Sequence, residues 1–194
     1  MVAAPLQNKL GAHLSDPRLR TILTGKRSTF HIRRIMDDGK VLLVNLSKGE
    51  IGEGPSTLLG SLLVSAITLI APSCRRQLPE AARRPFWLYL DEFQTFSTLA
   101  LATMLSELRK YRVGLTVAHQ YLSQLDPQVR DAALSNAGTL ICFRLGAHDA
   151  RYLAPEFAPV FEPEDLLSLP NHHIYLRLII DGEPSRPFSA RTLV

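Results

Sequence analysis

The sequence has only two cysteines, Cys74 and Cys142, in 194 residues. A pair this far apart supplies neither a disulfide framework nor the ligand spacing of a zinc site, and it suits a reducing cytoplasm. No apolar run is long enough to span a bilayer. The longest, Leu58 to Ala71, covers 14 residues and is interrupted by Ser61, Ser65 and Thr68, against the roughly 20 that a membrane helix needs. The amino terminus lacks a basic start followed by a compact apolar core, so no secretory signal is expected. Internal repeats, low-complexity tracts, a nucleophile elbow, a helix-turn-helix signature and an aromatic platform for bases are all missing. None of the six histidines joins cysteines or carboxylates at metal-ligand spacing, and His172 and His173, being adjacent, point to opposite faces of an extended segment. Most informative is the lack of a GxxxxGK[ST] phosphate loop. The segment Gly49-Glu50-Ile51-Gly52-Glu53-Gly54-Pro55-Ser56 fits its glycine spacing but holds Pro55 where the lysine belongs. Proline brings neither the cation nor the N–H that cradles a phosphate, and Glu50 and Glu53 would repel one.

What is present is ordinary in bulk. Hydrophobic residues make up 46% and charged residues 21%, values of a packed soluble domain with a sizeable core. Net charge is +4, and 17 of the 22 basic residues are Arg. Arg favours bidentate phosphate contacts, so an anionic partner fits, although a solvated basic surface explains the excess equally simply.

The stretch around which the chain is organised is Pro85-Phe86-Trp87-Leu88-Tyr89-Leu90-Asp91-Glu92-Phe93-Gln94. An aromatic-rich apolar run without Gly predicts a buried strand, and it ends in two adjacent carboxylates. Ligands of open α/β sheets bind at the carboxyl ends of strands, which puts Asp91 and Glu92 on the functional rim. This is the layout of a Walker B motif, in which the Asp holds Mg²⁺ and the Glu polarises the water attacking a γ-phosphate. The plainer reading is a strand end followed by a helix-capping acid.

Along the chain, Leu6, Leu10 and Leu14 predict a short amphipathic helix that Asp16-Pro17 ends, and Arg18 to Leu23 a further turn or two. Thr29 to Ile32 reads as a short extended piece, and Asp37-Asp38-Gly39-Lys40 as a turn. Val41 to Leu46 predicts a buried strand, Ser47 to Pro55 a loop, Ser56 to Ile70 a helix, and Pro72 to Arg84 a polar connector. One helix is expected from Thr98 to Tyr111, marked by Leu101, Leu105 and Leu108. A strand follows over Val113 to Ala118 and ends at His119-Gln120. Pro127 to Leu134 predicts a helix closed by Asn136-Ala137-Gly138, and Thr139 to Arg144 a strand. Helical pieces are expected over Asp149–Phe157 and Glu162–Leu169. His173 to Ile180 turns at Asp181-Gly182 and returns over Arg186 to Thr192 as an antiparallel hairpin. Strands alternating with helices predict an α/β fold with a mostly parallel sheet.

Gln120, at the end of the strand after Asp91-Glu92, can bridge an attacking water and a γ-phosphate; alone it would be an ordinary loop residue. Arg109 and Arg112 fall at the end of the intervening helix. For Arg112 the helix dipole is explanation enough, whereas Arg109 is a candidate arginine finger supplied to a neighbouring subunit. Arg144 fits a structural ion pair better than a phosphate contact.

Together the segments VLLVNLSKGEIGEGPSTLLGSLLVSAI, FWLYLDEFQTFST, LSELRKYRVGLTVAHQYLSQL, GTLICFRLGAHDARYLAPEF and HHIYLRLIIDGEPSRPFSARTL resemble the HerA/FtsK-like motor ATPases, most closely the TraD/TraG-type coupling proteins of conjugative type IV secretion. The resemblance runs from about Met36 to Leu193. It implies a RecA-like domain whose Walker B pair is Asp91 (metal) and Glu92 (catalytic), with Gln120 as its motif III glutamine and Arg109 as its trans-acting arginine. It further implies ATP and Mg²⁺ as cofactors and a hexameric ring of identical subunits that drives DNA, gripped by its backbone, through a central pore. Secretion-channel or relaxosome proteins are implied partners, and a cytoplasmic location is implied even where relatives are anchored to the inner membrane. The family's Walker A strand and loop precede this region. Residues 1–40 are therefore expected as a helical lead-in, and residues 41–194 as the C-terminal part of the motor domain, inactive without the upstream segment. The alternatives are a catalytically dead module that keeps the fold and a related motor working outside conjugation.

Overall fold

The computed structural model describes Gly11 and residues 14–193. The helix expected at Leu6 to Leu14 lies for the most part outside the described residues. The chain divides after His119 into two compact units.

The first unit begins with α1 (Pro17–Leu23), where Asp16 caps the first turn by accepting the Arg18 and Leu19 N–H groups. Asp16-Pro17 thus ends one segment and starts the next. No strand forms over the piece expected as extended at Thr29–Ile32, although His31 itself has extended backbone. Helix α2 (Ile32–Asp38) starts at the last residue of that piece, and the Asp-Asp-Gly-Lys signal is the carboxyl cap of α2, with Gly39 left-handed at φ 66. The expected loop at 47–55 holds one helical turn, α3 (Lys48–Ile51), and Gly52 at φ 87 then opens α4 (Glu53–Arg75). The sequence resembling a phosphate loop is therefore mostly helical.

Helix α4 has 23 residues and by length and composition alone could cross a membrane. Here one side of it is buried through Val64, Ile67, Ala71 and Cys74. Its last residue corrects the polar connector expected over 72–84, because Arg75 is only 1% exposed. Its guanidinium donates to the carbonyls of Tyr111 (2.7 Å), Arg112 (3.4 Å) and Met36 (3.4 Å), oxygens at the ends of neighbouring elements that no helical N–H reaches. Arg75→Ala removes that donor set and leaves a void. We expect it to destabilise the chain by about 3 kcal/mol in urea unfolding, against about 0.5 kcal/mol or less for the exposed neighbour Arg76→Ala.

Strands β1 (Phe86–Leu90) and β2 (Val113–Val117) pair in parallel, Phe86 opposite Val113 and Leu90 opposite Val117. Phe86, Val113 and Leu115 pack with Met36, Ala71, Leu108 and Tyr111. The other face is open: Trp87 and Tyr89 are 64% and 70% exposed, so β1 is half-buried rather than buried on both faces. Trp87 lies across Gly114, where a Cβ would fall 2.2 Å from the ring, hence glycine at that position.

The strand expected at Val41–Leu46 does not form. This segment carries no ladder, and Val41 and Leu43 are 85% and 90% exposed. It is tied to α4 by the Ser56 hydroxyl donating to the Leu46 carbonyl at 2.6 Å. An open cleft of about 1020 Å³ lies between it and β1, which is paired on one side only. A strand exists by virtue of its partner, and an apolar run without one stays irregular. A short helix, α5 (Phe93–Phe96), follows β1, and the helix expected over 98–111 is broken into α6 (Leu99–Leu105) and a 3₁₀ turn at Leu108–Tyr111. Left-handed Arg112 stops that turn. Its role is structural: its carbonyl accepts the Phe86 N–H at 2.9 Å, and its guanidinium donates to the Arg83 carbonyl.

In the second unit α7 (Pro127–Asn136) starts at Asp126, whose side chain accepts the Gln128 N–H. β3 (Leu140–Cys142), β4 (His173–Arg177) and β7 (Phe188–Arg191) form an antiparallel sheet in the order β3-β4-β7. A small ladder, β5 (Ile179–Ile180) with β6 (Glu183–Pro184), completes the expected hairpin. Helices α8 (Ala147–Phe157) and α9 (Pro163–Ser168) pack together, burying Leu153, Phe157 and Leu166. Glu162 and Asp165 form a reciprocal capping box at the start of α9. β2 and β3 each sit at an edge of their own sheet.

Both cysteines are buried, and burial raises both thiols, Cys142 to about 12. Thiolate is the reactive form. Labelling at about pH 8 should therefore be slow at both cysteines in the folded chain and fast in denaturant, and rapid native labelling of Cys142 would contradict this packing.

Candidate functional site

β1 delivers Asp91 and Glu92 to its carboxyl end. The turn they occupy is stapled to the end of β2, where the Ala118 N–H donates to the Leu90 carbonyl at 2.9 Å and the Phe93 N–H to the Ala118 carbonyl at 2.8 Å. Phe93 is fully buried and anchors the turn from below. Glu92 itself is left-handed, at φ 50 and ψ 47, and its carbonyl accepts the Thr95 N–H at 2.8 Å to start α5. A glutamate in this region of backbone space is uncommon and is held there only by its surroundings. The capping acid of the plainer reading is not seen, since neither carboxylate closes a helix cap through its side chain.

The side chains fall into distinct roles. Asp91 is exposed, and its Oδ1 accepts the Glu92 N–H at 3.0 Å. Glu92 is half-buried, and its Oε2 accepts a short hydrogen bond from the Gln94 amide. Gln94 was not singled out from the sequence, although its place two residues past a strand-ending Glu was the available signal. Its Oε1 is buried without a partner, an acceptor beside the carboxylates of the kind a bound water fills. No group of three metal-ligating side chains occurs among the described residues. The donor set is nevertheless compatible with Mg²⁺, which takes one or two carboxylates and completes its shell with waters and substrate phosphates. Both acids line the cleft beside β1, together with Ser47, Lys48 and Ser56.

Parallel pairing puts the carboxyl ends of β1 and β2 at the same edge, where the chain leaves β2 towards His119 and Gln120. Gln120 is exposed and begins the second unit. Arg109 is elsewhere. It stands exposed in the 3₁₀ turn at the amino end of β2, separated from Asp91 and Glu92 by the length of a five-residue strand, about 16 Å. The structure therefore brings the two carboxylates together but does not bring Arg109 to them. Arg144, past the end of β3, is exposed.

The family model for conjugative DNA transfer by the type IV secretory system matches residues 5–154. The chain belongs to that family. Comparison with curated proteins finds no match. Among solved structures, the chain is similar to the bacterial conjugative coupling protein TrwBdeltaN70 in its unbound form, with a TM-score of 0.73 at 19% identity over 93% of this chain and 47% of that one. It is similar also to TrwB in complex with ADP and Mg²⁺, with a TM-score of 0.71 at 19% identity over 93% and 46%. A more distant likeness is the genome packaging NTPase B204 of Sulfolobus turreted icosahedral virus 2 in complex with AMPPCP, with a TM-score of 0.50 at 14% identity over 97% and 92%. The chain has the RecA-like α/β fold of these proteins and spans about half the length of the TrwB structures it matches.

Proposed function

We propose that this chain supplies the hydrolytic half of an ATP-driven DNA translocase of conjugative secretion, with Asp91, Glu92, Gln120 and Arg109 as its working residues. The observation that carries the reading is the carboxylate pair at the end of a parallel strand, its second member held left-handed and hydrogen-bonded to Gln94, in a chain of this family. Asp91, exposed at the rim, would hold Mg²⁺, which when bound neutralises charge on the phosphates. Glu92 orients the attacking water and accepts its proton, and the Gln94 amide fixes the carboxylate in position for this. Gln120 bridges water and γ-phosphate from the end of β2. Arg109, at the opposite end of its strand, serves the nucleotide of the next subunit. The phosphate cradle comes from outside these residues. The test is turnover: the isolated chain should hydrolyse ATP no faster than buffer, and robust Glu92-dependent hydrolysis by it would overturn the requirement for an added phosphate loop.

A further inference from the structure

Gln120 occupies the middle of a short loop that is tied down on both sides. Before it, the peptide between Ala118 and His119 is fixed to the turn after β1, because the Ala118 carbonyl accepts the Phe93 N–H at 2.8 Å. After it, the Leu122 N–H donates to Asp149 Oδ2 at 3.0 Å. Only His119 and Tyr121 separate Gln120 from a fixed peptide on either side.

The second tie is made by a buried acid. Asp149 lies in the first turn of α8 and is 5% exposed. A carboxylate at that depth is costly unless hydrogen bonds compensate it. Its Oδ1 faces His148 Nδ1 at 3.1 Å, and its Oδ2 is given to the loop. Its charge also reaches the buried Cys142 thiol, which burial and then Asp149 push up to about 12. Leu122 is itself buried and opens a 3₁₀ turn (Leu122–Gln124), before which Tyr121 has extended backbone and makes no side-chain cap. Asp149, 27 residues away in the chain, therefore satisfies an N–H that the turn leaves over. A cap alone would serve only the turn. This one fixes the peptide one residue beyond the side chain that must meet an attacking water.

We infer that Asp149 is a positioning residue for Gln120. By holding the Tyr121–Leu122 peptide it limits the backbone rotation that would carry the Gln120 amide away from its working place. The inference rests on the reading of Gln120 as the group that bridges water and γ-phosphate. Asp149 acts only through the loop. A misplacement of about 1 Å caused by a remote change can cost about 10²-fold in rate, so this tie governs turnover rather than nucleotide binding.

The test is a double-mutant cycle in a complete motor, read as kcat and KM for ATP. Asp149→Ala should lower kcat about 10- to 100-fold while KM changes by less than about threefold. Asp149→Asn keeps an oxygen for the Leu122 N–H and should hold kcat within about threefold of wild type. In a Gln120→Ala background, Asp149→Ala should cost less than about twofold more, because the group it positions is already gone. If Asp149→Ala fails to fold by circular dichroism, Asp149→Ser, polar but shorter, carries the test with the same expectations. An unchanged kcat in the truncated variant, an equal loss in both backgrounds, or no recovery in Asp149→Asn would overturn the inference. Normal turnover by Gln120→Ala would remove the role of Gln120, and this inference with it. An additive cycle in which Gln120→Ala alone is slow removes only Asp149, so the two readings fail distinguishably.

Discussion

Placed behind an intact phosphate-binding loop, Glu92→Gln leaves nucleotide bound and slows hydrolysis by about 10²–10⁴-fold, the span of a lost general base. The substitution keeps the shape of the side chain and can still accept the Gln94 amide through its own carbonyl oxygen. What it removes is the negative charge and the site that receives a proton from water. The backbone demand is unchanged, because Glu and Gln tolerate the left-handed conformation at φ 50 equally poorly; stability should shift by no more than about 0.5 kcal/mol. Asp91→Asn makes the contrast. It should weaken Mg²⁺-dependent nucleotide binding itself, because the exposed Asp91 carboxylate is the group proposed to hold the metal. A titration with a fluorescent ATP analogue beside a phosphate-release assay separates the two effects. Normal turnover by Glu92→Gln, or loss of nucleotide binding in that variant with its fold intact, would remove Glu92 from its assigned role.

The carboxylate pair could be read from the sequence because the signal for it is local. An apolar run ending in two acids marks a strand end once a partner is in place, and β1 and β2 both formed within a residue of their expected bounds. Val41–Leu46 carries the same kind of run and remained irregular, since pairing belongs to the partner and not to the segment. The break in the helix expected over 98–111 escaped notice for a different reason. Leu105 and Leu108 are three apart, a spacing that an α-helix and a 3₁₀ turn share, so the pattern runs on across the discontinuity at Ser106-Glu107. Arg75 was the least legible residue of all. An arginine in a polar-looking connector reads as solvated, and only the fold reveals that three backbone carbonyls converge on it.

The same dependence on the fold governs Arg109. The resemblance implies that Arg109 serves the nucleotide of a neighbouring subunit, and that proposed role fits the parallel pair, in which Arg109 and the carboxylates occupy opposite ends of the strands. Alone, Arg109→Ala in a complete motor should cost about 10³–10⁵-fold in hydrolysis, the range for an arginine finger, and Arg109→Lys should recover only part of it because the planar fork is lost. Mixing resolves the geometry. A ring of Arg109→Ala subunits lacks every finger, and a ring of Glu92→Gln subunits lacks every base. When the two are mixed, an interface in which a Glu92→Gln subunit offers Arg109 to the intact Glu92 of an Arg109→Ala neighbour is complete. With equal mixing and a head-to-tail ring this describes about a quarter of interfaces. Hydrolysis well above the sum of the two inactive parents therefore marks action between subunits. If Arg109 served its own subunit's nucleotide, every active site in the mixture would still lack one of the two groups, and activity would stay at the level of the parents.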